Sequence, residues 1–329
     1  MIVTRAPLRI TLGGGGTDLP SYYERFGGFV LSAAIDKYLY ISVNRPSADD
    51  LIRLKYSLSE EVTNVDDVRH DLVRPTLDLL DIRKNVEIVS LADVPAGTGL
   101  GSSSTYLIAL LTALHELRRE RVPQQALAEQ AFHIEHTLAG HAVGKQDHYL
   151  ASFGGLTCLD IEKDGRVHVT PLNVSLETIE ELQSRIHLFF TDVSRGAQEI
   201  LRSQHDATER SDSSVVESLH KTKEIGLRVK EALEAGRVDD FGGLLHEHWE
   251  NKKRRSQRIS GEGIDRWYAA AREAGALGGK IVGAGGGGFL MLYCPPTAKA
   301  LVREALTREG LREMQFLFDF EGAKVLVNF

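Results

Sequence analysis

Residues 95–104 read Pro-Ala-Gly-Thr-Gly-Leu-Gly-Ser-Ser-Ser and join two segments of different periodicity. Residues 86–91 have the composition of a strand, whereas Leu107, Leu110, Leu114 and Leu117 recur with helical spacing. Alternating glycines let the backbone approach a ligand closely, and serines at the helix start are expected to cap the helix while its free N–H groups attract an anion. The segment therefore predicts a phosphate cradle; the alternative is a flexible loop with an ordinary serine cap. It is not a Walker A loop, because GxxxxGK[ST] does not occur in the sequence.

This string resembles the ATP loop of the GHMP kinases, a family that includes galactokinase, homoserine kinase, mevalonate kinase and phosphomevalonate kinase. The resemblance implies Mg²⁺ and ATP as cofactors, with Ser103 as one metal ligand. It assigns ATP binding to Pro95, Gly97, Gly99, Leu100, Gly101, Ser102, Ser103 and Ser104.

The N-terminal segment Ala6-Pro7-Leu8-Arg9, followed by residues 14–18 (Gly-Gly-Gly-Thr-Asp), resembles the substrate segment of the same family. A carboxylate and a cation near a strand end can bind a polyol and stabilise charge on the attacked oxygen. We therefore expect Asp18, Thr17 and Gly16 to bind substrate and Arg9 to take part in catalysis. The alternative is a surface ion pair beside a glycine turn. Glycines replace the Glu-His pair of the galactokinase pattern, which argues against galactose and leaves space for a larger substrate.

A third glycine segment, residues 280–289, contains Gly283, Gly285 and Gly288 in GxGxxG spacing. That fingerprint binds dinucleotides only where it opens a helix, and residues 289–293 are apolar and strand-like. The segment resembles the third GHMP motif instead. We expect Gly285, Gly286 and Gly287 to lie beneath the substrate and phosphates; the alternative is a structural turn.

Two carboxylates are candidates for the chemistry. Glu135 lies on the apolar side of a predicted helix over 124–138, where a carboxylate needs a cation or metal partner. The resemblance implies that Glu135 and Ser103 bind Mg²⁺; the alternative is a salt bridge or a solvent-exposed edge position. Residues 144–149 resemble the catalytic segment of the family, in which Asp147 accepts the substrate hydroxyl proton or orients that hydroxyl. The alternative for Asp147 is a helix cap.

Several cations are candidates for binding a substrate phosphate. Residues 252–255 (Lys-Lys-Arg-Arg) are predicted to form the solvated face of a helix, although a phosphate could attract one of them. Arg195, after a predicted strand over 186–193, is a second candidate.

The order of predicted elements favours an α+β protein in two halves. We place the first domain over residues 1–180 and the second over 181–329, with the acidic stretch 175–184 as the junction. The resemblance implies the two-domain GHMP kinase fold, with a ribosomal-S5-like first half and a ferredoxin-like second half. Residues 314–320 and 324–329 are predicted to close the chain as a hairpin.

The formal net charge of −7 argues against nucleic-acid binding, and the two cysteines form no CxxC pair. The apolar stretches are too short to span a bilayer, so a cytoplasmic protein with no membrane or nucleic-acid partner is expected. The oligomeric state, monomer or homodimer, stays open.

Residues 5–43 are similar to the D-glycero-D-manno-heptose 7-phosphate kinases within the superfamily. This implies a sugar-phosphate substrate phosphorylated at its anomeric hydroxyl, for the supply of nucleotide-activated heptose to surface glycans. L-fucose-type anomeric kinases are the alternative within the family. A sugar or nucleotide sensor without catalysis is the alternative of another class.

Overall fold

The computed structural model describes residues 1–193, 197–255 and 259–329, so the candidate phosphate contact Arg195 lies outside the described residues. The strands are β1 (Ile2–Gly13), β2 (Gly28–Asn44), β3 (Ile52–Lys55), β4 (Ser59–Val62), β5 (Val86–Ala92), β6 (Leu156–Ile161), β7 (Val167–Pro171), β8 (Ile186–Phe190), β9 (Gly278–Ile281), β10 (Phe289–Tyr293), β11 (Arg312–Met314) and β12 (Lys324–Asn328). The helices are α1 (Pro20–Phe26), α2 (Val73–Leu79), α3 (Ser102–Leu117), α4 (Gln124–Phe132), α5 (Gln146–Phe153), α6 (Leu176–Arg185), α7 (Ala197–Glu209), α8 (Ser213–Glu234), α9 (Val238–Lys253), α10 (Glu262–Glu273) and α11 (Lys299–Arg308).

The first sheet is built around the long strand β2. Strand β1 pairs antiparallel with β2 over nearly its whole length, from Ile2 opposite Val43 to Gly13 opposite Leu31. The other edge of β2 is divided, because its first half pairs with β6 and its second half with β5. The main path through the sheet runs β12-β1-β2-β5-β3-β4, with β7 beside β6. This arrangement places the middle of β1, which carries Arg9, inside the protein.

The C-terminal strand corrects one prediction. Residues 324–328 do form a strand, but β12 pairs with β1, where Ile2 lies opposite Asn328. The short strand β11 pairs instead with β8 in the second sheet, whose order is β11-β8-β10-β9. The predicted hairpin over residues 314–329 is therefore wrong, because the two segments join different sheets.

A shared apolar core connects the two sheets. Leu8 of β1 and Leu31 of β2 pack in one cluster with Val229 of α8, Phe241 of α9 and Met291 of β10, and all five are buried. Burial of such side chains contributes on the order of 2 kcal/mol each. Helices α8 and α9 thus fix the second half of the chain against the face of β1 that leads to Arg9.

The class α+β is confirmed by these two sheets and their helices. The boundary after residue 180 stays a prediction, and the stretch 175–184 is largely the helix α6, capped by Ser175, whose hydroxyl accepts a hydrogen bond from the amide of Thr178. In the ranges that the structure describes, no helix is both long enough and apolar enough to cross a bilayer.

Glu313 of β11 allows a prediction about stability. Its carboxylate accepts hydrogen bonds from His187 Nδ1 of β8 at 2.7 Å and from Arg303 Nε of α11 at 2.5 Å. Burial raises the pKa of Glu313, but these two partners outweigh burial and lower that pKa from 4.5 to about 2. A depressed pKa stabilises the folded state above the unfolded value, and the stabilisation is lost as the pH falls from 4.5 through 2.

Glu313→Gln is therefore expected to lower the free energy of unfolding at pH 7 by on the order of 2 kcal/mol. Urea unfolding at pH 7, 4 and 3 measures it, and the gap to the wild type should narrow as the pH falls. Glu309→Gln is the matched control, because Glu309 pairs with the exposed Arg266 and should change stability by less than about 1 kcal/mol. A gap that stays constant with pH would contradict the role of the ionised carboxylate.

Candidate active site

The glycine loop ends in an exposed helix start that is built to hold an anion. Gly101 is the N-cap of α3 with a φ of 84°, a left-handed conformation that favours glycine. No side chain caps the helix, contrary to the expected serine cap, so the N–H groups of its first turn stay free for a ligand. The hydroxyl of Ser102 is buried there without a hydrogen-bond partner. The first turn of α3, called the helix mouth below, thus combines free amides with an unsatisfied hydroxyl, which fits the phosphates of a nucleotide.

Two of the residues predicted to bind ATP, Leu100 and Ser104, have buried side chains that hold the loop in place. Leu100 is fully buried in the core shared by the two sheets, and its carbonyl accepts a hydrogen bond from the Arg9 amide at 3.1 Å. Ser104 is also fully buried and donates its hydroxyl hydrogen bond to Glu135. Their side chains therefore anchor the loop. The loop residues Pro95 and Gly97 are exposed, and Gly99 is half-buried.

Glu135 connects the first turn of α3 to helix α5 through hydrogen bonds. The predicted helix over 124–138 consists of α4 and a π-helical turn, His133–Leu138, which carries the fully buried Glu135. The Glu135 carboxylate accepts hydrogen bonds from Ser103 Oγ at 2.6 Å, Ser104 Oγ at 2.7 Å and His148 Nε2 at 2.8 Å. Burial alone would raise the pKa of Glu135, but contacts with His141 and His148 outweigh it and hold that pKa below its usual range.

The pair Ser103 and Glu135 fits a magnesium ion in its chemistry. Both offer hard oxygen ligands, and Ser103 Oγ lies 2.6 Å from Glu135 Oε1. The Glu135 carboxylate stays ionised, and Ser103 is exposed. Mg²⁺ in proteins commonly takes only one or two protein ligands and completes its shell with phosphates and water. Over the described part of the chain, no group of three or more His, Cys, Asp or Glu side chains could hold a metal by itself. A metal here would therefore depend on the nucleotide for its other ligands.

Arg9 and Asp147 form a paired centre beside this helix mouth. Arg9 Nε and Nη2 donate to the two carboxylate oxygens of Asp147 at 2.7 and 2.8 Å, and Nη1 donates to the Gly99 carbonyl at 2.6 Å. Asp147 lies in the first turn of α5, and a Cβ placed on Gly101 would be 3.1 Å from its Oδ2. The arginine therefore holds both the carboxylate and the phosphate loop in one geometry.

The start of α5 is itself tied down by Lys145. Its ammonium group donates to both oxygens of Glu129, at 2.7 and 2.8 Å, and to the Gly165 carbonyl at 2.7 Å. The Lys145 side chain is almost fully buried. These bonds fix the helix turn from which Asp147 projects.

The turn at residues 14–18 brings Asp18 to the same centre. The buried Asp18 carboxylate accepts hydrogen bonds from the amides of Gly16 at 2.9 Å and Gln146 at 3.1 Å. Burial, followed by the charge of Asp147, raises the pKa of Asp18. The buried Thr17 hydroxyl bonds the backbone of Gly14 and Phe29, and substrate binding by Thr17 stays a prediction. Thr17 thus supports the turn.

Arg9, Asp18 and Asp147 line one cleft that is partly open to solvent. Arg9, Gly16, Asp18 and Asp147, all predicted from the sequence, meet there. The other lining residues are Thr11, Gly15, Leu19, Val143, Gly144, Gln146, Leu201, Gln204, His248, Lys252, Arg255, Lys280, Gly283 and Ala284. A polar, partly open cleft that adjoins the Arg9–Asp147 pair can hold a small polar acceptor.

The prediction that residues 252–255 form a solvated helix face is wrong for Lys252 and Arg255. Lys252 is 7% exposed and Arg255 is half-buried, and both line the cleft. Sequence reasoning missed Lys280, which is 3% exposed on β9 and lies on the same wall. A signal for Lys252 did exist, because it follows the apolar Leu245 and Trp249 at spacings of seven and three residues, on one helix face.

The third glycine segment supports the phosphate loop. A Cβ on Gly283 would lie 2.6 Å from the Gly99 carbonyl oxygen, and one on Gly288 would lie 2.1 Å from the Thr98 carbonyl oxygen. Backbone therefore packs on backbone between residues 98–99 and the glycine segment.

The three central glycines of that segment, Gly285, Gly286 and Gly287, are buried against the polypeptide backbone. Gly286 donates its amide to the Ile259 carbonyl at 2.9 Å, and Gly285 packs against Ile259. Gly287 packs against the carbonyl of Val193. The three glycines therefore pack against the chain's own second half, and substrate binding by Gly285, Gly286 and Gly287 stays a prediction.

The arrangement can perform group transfer between a nucleotide and an acceptor. The helix mouth and a metal on Ser103 and Glu135 can hold transferable phosphates. Asp147 lies between that mouth and the cleft, where it can orient an acceptor hydroxyl and receive its proton. Arg9 supplies a fixed positive charge at the point where both meet.

Comparisons with known proteins agree with this geometry. Residues 70–155 match the model of the GHMP kinases N terminal domain, and residues 229–312 match the model of the GHMP kinases C terminal domain. A D-glycero-alpha-D-manno-heptose 7-phosphate kinase from Campylobacter jejuni is 32% identical over 98% of this chain and 98% of its own length.

Two further relatives bear on the fold and the branch. The crystal structure of a D-glycero-D-manno-heptose 1-phosphate kinase from Bacteroides thetaiotaomicron superposes with a TM-score of 0.83 at 28% identity, covering 100% of both chains. An L-fucokinase/L-fucose-1-P guanylyltransferase from Bacteroides fragilis is 25% identical over 93% of this chain and 36% of its own length.

Proposed function

Because the chain belongs to the GHMP kinase family, as a phosphotransferase with an alcohol group as acceptor, we propose that it phosphorylates the anomeric hydroxyl of D-glycero-D-manno-heptose 7-phosphate. The products would be the 1,7-bisphosphate and ADP. The observation that carries the proposal is the Arg9–Asp147 pair, held between the open mouth of α3 and the polar cleft. The heptose is supported by the similarity to the Campylobacter jejuni kinase over 98% of both chains.

The proposed mechanism assigns a task to each residue of the site. The acceptor oxygen attacks the γ-phosphorus of ATP, the bond from that phosphorus to the β–γ bridging oxygen breaks, and the hydroxyl proton passes to Asp147. Phosphoryl transfer has a loose transition state, so alignment and charge neutralisation matter more than a strong base. Arg9 keeps Asp147 in place, and the α3 amides hold the nucleotide phosphates. Ser103 and Glu135 would hold Mg²⁺, which neutralises phosphate charge when bound.

Asp18 is proposed to shape the acceptor site beside Asp147. Its carboxylate is bonded to the amides of Gly16 and Gln146, which fixes the turn that forms one wall of the cleft. A side chain at Gly144 could not be accommodated, because its Cβ would lie 2.0 Å from Asp18 Oδ2. The close packing keeps the acceptor wall rigid, as transfer between two bound partners requires.

A substrate panel tests the proposal. ADP release is measured with heptose 7-phosphate, L-fucose, galactose, mannose and mevalonate, each with and without Mg²⁺. We expect kcat/KM for heptose 7-phosphate to exceed that for each other acceptor by at least about 100-fold. NMR of the product should show the new phosphate at C1.

The alternatives give different results in the same panel. Fastest turnover of L-fucose would place the chain with the fucose-type anomeric kinases, in line with its 25% identity to the Bacteroides fragilis fucokinase. An absence of sugar-dependent ADP with every acceptor would indicate a sensor and would refute the kinase proposal.

A further inference from the structure

Lys252, Lys280 and Arg255 form a cationic wall of the cleft, and their hydrogen-bond partners among the described residues are all neutral. Lys252 Nζ donates to the carbonyls of Ile281 at 3.1 Å and Gly283 at 2.6 Å. Arg255 donates to the hydroxyls of Ser218 and Thr222 in α8. Lys280 Nζ lies 3.4 Å from Nδ1 of the buried His248. Of the ion pairs formed by described residues, none includes a member of this wall.

Such a wall is unfavourable without a ligand. Transferring a cation out of water is costly unless an anion or a full set of hydrogen bonds compensates it. Burial, together with repulsion from Arg255 and Arg9, lowers the pKa of Lys252 to about 7. Burial and the same neighbours, with Lys252, lower the pKa of Lys280 well below its usual value. The site therefore gains from an anion that lies between these groups.

The position of the wall favours the acceptor over the nucleotide. Arg9 bonds Asp147 and the carbonyl of Gly99, so this pair stands between the phosphate loop and the cleft. Arg255 lies beside the turn at residues 14–18, where its Nη1 is 3.2 Å from the position of a Cβ on Gly16. Gly16 has a φ of 95° and no side chain, which leaves the guanidinium open to the cleft. The three cations line the same cleft as Asp18 and Asp147, where the acceptor must lie for transfer from the loop.

We propose that Lys252, Lys280 and Arg255 bind a phosphate monoester on the acceptor and so select phosphorylated sugars over free ones. This inference rests on the proposed function, and it assigns residues to the phosphate that the acceptor sugar already carries. The acceptor hydroxyl lies at Asp147, and the monoester lies farther along the cleft. His248, buried and with a pKa well below its usual value because of burial and the charge of Lys280, stays neutral and orients the Lys280 ammonium group.

Selectivity for the phosphate is the quantity that tests the proposal. It is the ratio of kcat/KM for heptose 7-phosphate to kcat/KM for the same heptose without the phosphate. We expect Lys252→Met and Lys280→Met each to lower this ratio by about 10- to 100-fold, the effect of one charge-assisted hydrogen bond. Inorganic phosphate should inhibit the wild type competitively against heptose 7-phosphate and should inhibit both variants more weakly by a similar factor.

Two further variants keep the test independent of folding. Lys252→Arg retains the charge that ties α9 to Ile281 and Gly283, and should keep most of the selectivity. Lys253→Met alters the next residue, which pairs with Glu250 on the surface, and should leave the ratio and the activity unchanged.

The outcomes separate this proposal from the proposed function. A rise in the KM for ATP with an unchanged selectivity ratio would show that the wall serves the nucleotide and would overturn the inference. Equal losses with both sugars would overturn it as well. If another phosphorylated sugar proves to be the acceptor, inorganic phosphate should still compete with it, and the wall stands although the heptose does not. If a free sugar is the best acceptor and phosphate does not inhibit, the wall is refuted while the kinase remains.

Discussion

Asp147→Asn is expected to lower kcat by about 1000-fold while the Kd for ATP changes by less than about threefold. The amide has nearly the same shape and can still accept one hydrogen bond from Arg9, so the centre keeps its geometry. It cannot take the acceptor proton, and it removes the negative charge that orients the hydroxyl. Single-turnover ADP formation measures the chemical step, and titration with a non-hydrolysable ATP analogue measures binding.

Asp164→Asn is the matched control for that substitution. Asp164 also accepts a hydrogen bond from an arginine, Arg166 Nε at 2.7 Å, but on an exposed turn between β6 and β7. Its kcat should equal that of the wild type. Near-normal turnover of Asp147→Asn would remove Asp147 from catalysis, and a large rise in the ATP Kd would show that it positions the phosphate loop instead.

The parts of the site that could be predicted from the sequence are those fixed by local chemistry. Glycines and serines between a strand and an apolar helix predict a ligand loop wherever they occur, and α3 begins at Ser102 as this pattern requires. Arg9 and Asp147 were found because each lies in a short segment that resembles a known motif. That they bond one another across 138 positions is a property of the fold alone.

The cationic wall could be predicted only in part, from the spacing of Lys252 after Leu245 and Trp249. Lys252 and Arg255 belong to a run of four basic residues, and such runs are usually solvated. They are buried because α9 packs against β9 and β10, which lie far along the chain. Lys280 had no local signal, since its burial depends on the same contact.

The fold shows the same division between local pattern and distant partner. The alternation of residues 324–328 predicts a strand correctly, but its pairing with β1 depends on which sheet edge is free in the folded protein. Helix α5 was implied only by the helix-cap alternative for Asp147, because Tyr149, Leu150 and Ala151 are consecutive buried residues without a helical period. Its position, rather than its pattern, decides where Asp147 lies.

The packing of the third glycine segment on the phosphate loop leads to the second large effect. Gly288→Ala is expected to raise the Kd for ATP by about 10- to 100-fold, although residue 288 touches no nucleotide in the proposed site. Gly288 has a φ of 85°, and the added Cβ would lie 2.1 Å from the Thr98 carbonyl oxygen. Either the loop or the glycine segment must shift, and a misplacement of about 1 Å at such a site reduces the rate by about 100-fold.

Gly287→Ala distinguishes a displaced loop from general destabilisation. Its Cβ would be equally close to a carbonyl oxygen, that of Val193 at 2.1 Å, but Val193 belongs to the second half of the chain. Both variants should lose on the order of 1–3 kcal/mol of unfolding free energy, and Gly288→Ala alone should lose most of its ATP affinity. Gly243→Ala, on an exposed face of α9 with open space around it, should leave the ATP affinity unchanged and should raise stability by about 0.5–1 kcal/mol, the helix preference of alanine over glycine. Equal ATP affinities of the residue 287 and 288 variants would mean that the phosphate loop keeps its shape without support from the C-terminal half. The free amides at the mouth of α3 would then be positioned by the first sheet and Arg9 alone.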